Sequence, residues 1–126
     1  MQNKIKGSTI LVTGGAGFIG SYVIEQLLPL EPARVIIIDN LIRGSKANMK
    51  GFIDHPALTF HQGDIRDLAL LEKCINGADY VFHMAALRIN ACAADPKEGF
   101  DVMLNSTFQL AELCVRYKVK KVVYSS

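Results

Sequence analysis

Cysteine is scarce in this chain and poorly placed for either of its usual structural roles. The three cysteines, Cys74, Cys92 and Cys114, form no C-x-x-C pair, and their odd number does not close into a disulfide framework. That excludes zinc ligation and disulfide bridging as organising elements, and makes a reducing cytoplasm the expected setting. Charge of one sign is lacking too. Fourteen Lys and Arg against twelve Asp and Glu leave a net charge of +2, scattered along the chain. No basic stripe is present to neutralise nucleic acid or an anionic membrane, so neither is an expected partner. No apolar run is long enough to span a bilayer, and Met1–Gly7 carries no signal-peptide pattern before the first strand. Repeats, long linkers and low-complexity blocks are also missing. With 126 residues, 50% of them hydrophobic and 21% charged, the chain is expected to form one domain over residues 1–126 with a proper core.

Glycine is concentrated where it carries information. Thr13-Gly14-Gly15-Ala16-Gly17-Phe18-Ile19-Gly20 follows the apolar run Thr9–Thr13 and precedes a stretch from Phe18 to Leu28 with helical periodicity, Ile19, Val23 and Leu27 on one stripe. A second apolar run, Val35–Ile38, ends on Asp39, nineteen residues after Gly20. Strand, glycine turn, helix, strand and acid in this order form the fingerprint of a dinucleotide-binding βαβ unit. Gly14 permits the tight turn, Gly17 lets backbone N–H groups approach a pyrophosphate, and Gly20 lets helix and strand pack closely. The helix N-terminus contributes partial positive charge. Asp39 is placed to accept hydrogen bonds from ribose hydroxyls.

The remainder alternates strand and helix. The first helix is expected to stop before Pro29. Ser45 caps a short helix reaching about Phe52. Leu58–Gln62 reads as a third strand, and Asp67 caps a helix with Leu70, Leu71, Cys74 and Ile75 inward, closed by Gly77. Tyr80–Met84 is a fourth strand. Asp95-Pro96-Lys97-Glu98 combines an acidic cap, a first-turn proline and an acid at the third position. The helix that follows is expected to bury Phe100, Leu104, Thr107/Phe108, Ala111 and Cys114/Val115. Lys121–Ser126 is a fifth strand. The fold class that results is α/β: a Rossmann-type, doubly wound, five-stranded parallel sheet of order 3-2-1-4-5 in a three-layer αβα arrangement, with a ligand at the switch point between strands 1 and 4.

Five segments together carry a more specific likeness: Thr13–Gly20, Asp39-Asn40-Leu41, Gly63-Asp64-Ile65-Arg66-Asp67, His83-Met84-Ala85-Ala86-Leu87-Arg88 and Val122-Val123-Tyr124-Ser125-Ser126. In this order and spacing the whole chain resembles the N-terminal part of an extended short-chain dehydrogenase/reductase, within the NAD-dependent epimerase/dehydratase family. The resemblance implies NAD as cofactor. Phe18 and Ile19 would offer N–H groups to the pyrophosphate, and Asp39 would hold the adenosine ribose with Asn40 beside it. Asp64 and Ile65 would meet the adenine edge, and Ala85 and Ala86 would pass under the cofactor. Arg88 would stand near the phosphates, where these enzymes carry a lysine. Ser125 begins the serine run at the end of the fifth strand. A carboxylate at Asp39 favours NAD over NADP, while Arg43 is a cation able to meet a 2′-phosphate.

The family's chemistry uses a Ser/Thr just past the fifth strand and a Tyr-x-x-x-Lys motif on the next helix. The resemblance therefore puts no catalytic residue within the chain, which is expected to be part of a larger nucleotide-sugar epimerase or dehydratase. The substrate would bind to the missing C-terminal portion. A free-standing NAD-binding or sensing module and a related sugar reductase or decarboxylase are the alternatives. Tyr117–Lys121 matches Tyr-x-x-x-Lys by letter, but it precedes the fifth strand and reads as a solvated basic turn. Met103 stands where the family has an active-site asparagine, and Ser106 replaces a glycine; Asn105 lies too far round the helix to substitute. His83 reads as a structural hydrogen-bonding residue, His55 and His61 as solvent-facing, and the cysteines as small core hydrophobes. Homodimerisation or self-association is expected through strand 5 or the helix from Pro96 to Tyr117, the helix through which the family dimerises.

Overall fold

A computed structural model describes residues 3–125. Five strands, β1 (Thr9–Thr13), β2 (Arg34–Asp39), β3 (Leu58–Gln62), β4 (Tyr80–His83) and β5 (Lys121–Tyr124), form one sheet in the order β3-β2-β1-β4-β5. Every pairing is parallel, with Leu11 opposite both Ile36 and Val81. The arrangement is the expected doubly wound one. The part of the fifth-strand reading that falls on Ser126 lies outside the described residues.

The helices are α1 (Phe18–Leu27), α2 (Leu68–Ile75), α3 (Ile89–Ala94), α4 (Pro96–Gly99) and α5 (Ser106–Arg116). Alternation within the strands assigns each face its own core. Ile10, Val12, Val35 and Ile37 pack against Ile24 and Leu27 of α1. Leu11, Ile36, Ile38 and Val81 pack against Leu71, Cys74 and Ile75 of α2 and Leu110, Leu113 and Cys114 of α5.

Local signals set the helix ends. Asp67 Oδ1 accepts the Leu70 N–H at 3.2 Å, and Asp95 Oδ1 accepts the Glu98 N–H at 3.1 Å, each capping a first turn. Gly77 adopts φ +90° just past α2. Ser45 Oγ accepts from Ala47 N–H, but the segment it caps is a single 3₁₀ turn, Lys46–Met49, rather than a helix reaching Phe52. α1 gives way at Leu28–Leu30 to a 3₁₀ turn that contains Pro29. α3 was not expected from the sequence at all.

Two expected helix faces are corrected. In α1 the buried positions are Gly20, Ser21, Ile24 and Leu27, while Ile19 is 61% exposed. The rod from α4 to α5 buries Gly99, Val102, Ser106, Leu110, Leu113 and Cys114. Phe100, Leu104, Phe108 and Val115, expected inside, are 55 to 81% exposed. A π-turn at Phe100–Asn105 interrupts the 3.6-residue period between α4 and α5. The small Ser106 sits against the sheet side with its hydroxyl bonded to Val102 O. The more apolar stripe therefore faces outward, and the less apolar one is packed.

The assignment of faces predicts that Leu110→Ala lowers stability by about 2–5 kcal/mol. Phe108→Ala is expected to change it by less than about 1 kcal/mol in the monomer. Urea unfolding of both variants checks this; equal losses would contradict the register.

Candidate functional site

The end of β1 and the start of α1 meet in a turn that only glycine can make at two positions. Gly14 has φ +69°, and a Cβ there would lie 2.7 Å from Ala85 N and 2.9 Å from the Met84 carbonyl carbon. These are backbone atoms of the segment after β4, so they have no side-chain freedom with which to yield. A Cβ on Gly20 would collide with Gly14 O and lie 2.9 Å from Gly15 Cα. Gly17 is different: the nearest atom to its Cβ would be Gly14 O at 3.2 Å, and its open side borders a cleft. Ser21 N–H makes the first turn bond of α1, to Gly17 O at 3.0 Å. The N–H groups of Phe18, Ile19 and Gly20 precede it, so they have no acceptor within the helix.

The cleft has a volume of about 380 Å³ and lies over the C-terminal ends of β1, β2 and β4, between β1 and β4 where strand order reverses. Gly14, Gly17, Phe18, Ile19 and Gly20 form one wall, and Asp39, Asn40 and Arg43 another. Asp64 and Ile65 close one end, and Ala85, Ala86 and Arg88 line the side beneath β4. Of the residues the sequence picked out, Ser125 alone lies outside this lining. Its N–H bonds to His83 O at 3.3 Å, at the end of β5.

Asp39 is only 6% exposed. Its Oδ2 accepts the Ala16 N–H at 3.0 Å, and its Oδ1 accepts the Leu41 N–H at 2.8 Å. The carboxylate thus ties the glycine turn to the loop after β2, and two backbone amides fix its direction at the cleft. Leu41 takes φ +61° to make this loop close. Ser45 N–H and Asn48 Nδ2 both donate to Ala16 O, at 3.0 and 2.9 Å. Sequence reasoning missed Asn48 and Gly44, which also line the cleft, because nothing in the local pattern around Ser45 signals that this segment folds back onto Ala16.

Arg66 was also missed as a site residue, although it lies between Asp64 and Asp67 and lines the cleft. Its guanidinium holds Asp64 through Nε at 3.0 Å and a terminal nitrogen at 2.7 Å, and reaches Glu98 at 3.5 Å. The hydrogen bonds from Arg66 hold the Asp64 carboxyl below its ordinary value. The pair is partly exposed and screened, so its contribution to stability is small. Because the folded pKa is depressed, that contribution is present above pH 3.8 and lost as pH falls through the lower, folded value.

The segment Tyr117–Lys121 lies at the end of α5, away from the cleft. Tyr117 Oη donates to Glu72 at 2.7 Å, which fastens α5 to α2, and Lys118 has φ +57°. Met103 Sδ accepts the Leu87 N–H at 3.1 Å, so the thioether supports the cleft segment after β4 from below.

NMR titration of the side-chain carboxyl carbon is expected to place the Asp64 midpoint below 3.8, and Arg66→Gln to return it toward that value. An identical midpoint in both proteins would contradict the assigned cause.

A sequence model of the NAD-dependent epimerase/dehydratase family matches residues 10–126. Among curated relatives, a UDP-glucose 4-epimerase of Neisseria meningitidis serogroup C is 38% identical over 122 residues, covering 93% of this chain and 36% of its own length. UDP-glucose 4-epimerase 2 of Oryza sativa subsp. japonica is 37% identical over 126 residues, covering 94% of this chain and 31% of its own. The chain thus spans about a third of the curated relatives it matches. Among solved structures, the Bordetella bronchiseptica enzyme WbmF in complex with NAD+ and UDP superposes with a TM-score of 0.88 at 35% identity, over 99% of this chain and 37% of that one.

Proposed function

We propose that this chain, which belongs to the NAD-dependent epimerase/dehydratase family, forms the NAD-binding part of a nucleotide-sugar epimerase or dehydratase. The observation that carries the reading is the glycine turn. Gly14 and Gly20 have no room for a Cβ, and the first turn of α1 opens on a cleft whose opposite wall holds a buried, oriented carboxylate. A pyrophosphate suits free N–H groups at a helix N-terminus, and a ribose suits Asp39.

In this reading Gly17, Phe18 and Ile19 take the pyrophosphate, and Asp39 takes the adenosine ribose with Asn40 beside it. Asp64 and Ile65 border the adenine, and the Arg66 guanidinium orients the Asp64 carboxylate. Ala85 and Ala86 lie under the cofactor because larger side chains would fill the space it needs. Arg88 adds a cation toward the phosphates. Asp39 repels a 2′-phosphate, which favours NAD over NADP despite Arg43 nearby. Ser125 belongs to the proposed contacts through the end of β5. Bound NAD supplies a hydride acceptor for transient oxidation of the sugar. The Tyr-x-x-x-Lys pair and the nucleotide-sugar site belong, in this reading, to sequence beyond residues 1–126. A cytoplasmic setting is part of the proposal.

Self-association belongs to it as well. Phe100, Leu104, Phe108 and Val115 make an exposed apolar stripe along the α4–α5 rod, and β5 is an exposed sheet edge. A second copy of the chain covering that stripe removes the apolar surface from water.

Isothermal titration is expected to show NAD binding weakened by about 1.5–3 kcal/mol in Asp39→Ala, the range for a hydrogen bond to a charged group. Unchanged affinity in a folded variant sinks the assignment. Light scattering at high concentration is expected to show association that Phe108→Lys abolishes; a clean monomer before substitution would contradict the interface.

A further inference from the structure

His83 ends β4 beneath the cleft and is 2% exposed. It does not line the cleft, nor do its partners Thr13 and Thr107. Thr107 Oγ1 donates to Met103 O at 2.9 Å, so its lone pairs face His83 Nε2 at 3.0 Å. On the other side, Thr13 Oγ1 accepts the Ala85 N–H at 3.2 Å and shares the Met84 N–H, which lies 3.1 Å from both Thr13 Oγ1 and the Thr13 carbonyl. Its own proton is left for His83 Nδ1, 2.7 Å away. One set of directions satisfies every link. Amides of the cleft segment donate to Thr13, Thr13 donates to Nδ1, Nε2–H donates to Thr107, and Thr107 donates to the π-turn carbonyl.

We propose that His83, as the Nε2–H tautomer, is a positioning residue for the dinucleotide cleft. It directs the Thr13 hydroxyl so that its oxygen can hold Ala85 and share Met84 with the Thr13 carbonyl, and it couples that segment to the π-turn at Met103. The role rests on the dinucleotide reading above. A ring with its proton on Nδ1 would aim a donor at an oxygen already receiving the Ala85 N–H and a share of the Met84 N–H. It would also leave the Thr107 oxygen without its donor.

The groups around the ring are compatible with an uncharged imidazole. From β1 it faces Thr13, from the α4–α5 rod Thr107, and from β5 the ring of Tyr124, stacked at 5.8 Å. Burial alone lowers its pKa from 6.5 to about 4. Since the unfolded ring takes its proton near 6.5 and the folded ring near 4, acid favours unfolding across that interval. In the folded protein the directed chain is intact above about pH 4.

Two measurements on the full chain test the proposal. Assigned ¹⁵N shifts of the His83 ring, without ligand, are expected to be those of a neutral Nε2–H imidazole from about pH 5 to 8. Thr107→Val keeps the side-chain shape and removes the acceptor for Nε2–H. It is expected to raise the NAD dissociation constant about threefold to tenfold, and Thr107→Ser to restore it to within about twofold. An Nδ1–H ring, an imidazolium at pH 6, or unchanged NAD affinity in Thr107→Val overturns the positioning role alone. An unmodified chain with the Nε2–H ring that binds no NAD overturns the dinucleotide reading, and this role with it.

Discussion

The backbone of α1 rests on the carbonyl of Gly14, with no side chain between them. That contact exists because Gly20 has no Cβ, and it draws the helix N-terminus down onto the end of β1. Once it is made, the amides of Phe18 and Ile19 border the strand-order reversal and have no helical acceptors. Gly14 faces a second close neighbour on its other side, the backbone of Met84 and Ala85. The turn is therefore held between α1 and the segment after β4, and the cleft walls are set by backbone contacts. Backbone has few ways to yield, so an added methyl at either glycine displaces a wall.

The polar groups at the cleft bind the protein before they bind anything else. Asp39 spends both oxygens on the amides of Ala16 and Leu41. Asn48 and Ser45 satisfy the Ala16 carbonyl from the other side. These bonds remove rotational freedom from the carboxylate and from the loop after β2, which lowers the ordering cost of any ligand that meets them. The chain through Thr13, His83 and Thr107 serves the third wall in the same way. Preorganised donors and acceptors on three strands suit a ligand that is long, anionic in the middle and polar at both ends.

Much of this was legible in the sequence, for physical reasons that differ by element. β1 begins and ends with its apolar run, β3 spans the expected Leu58–Gln62, and Asp67 and Asp95 cap where their chemistry requires. Strand order followed from right-handed crossovers. The glycine, acid and alanine positions converge on one cleft because the βαβ geometry brings strand ends together. The buried face of the α4–α5 rod was not legible. Its outward stripe is the more apolar one, and the π-turn breaks the period on which the reading depended. Asn48 and the Arg66–Glu98 contact were hidden because contacts between segments distant in sequence leave no periodic trace. The directed chain at His83 was not legible, since residues of β1, β4 and α5 that lie far apart in sequence meet only in the fold.

Amide chemical-shift mapping with NAD tests the central claim most directly. The account predicts shifts concentrated at Gly14–Gly20, Asp39–Arg43, Asp64–Arg66 and Ala85–Arg88, with the exposed groove at Ile5, Tyr80, Phe82 and Val123 unaffected. Shifts confined to that groove, or none at saturating NAD, would contradict it.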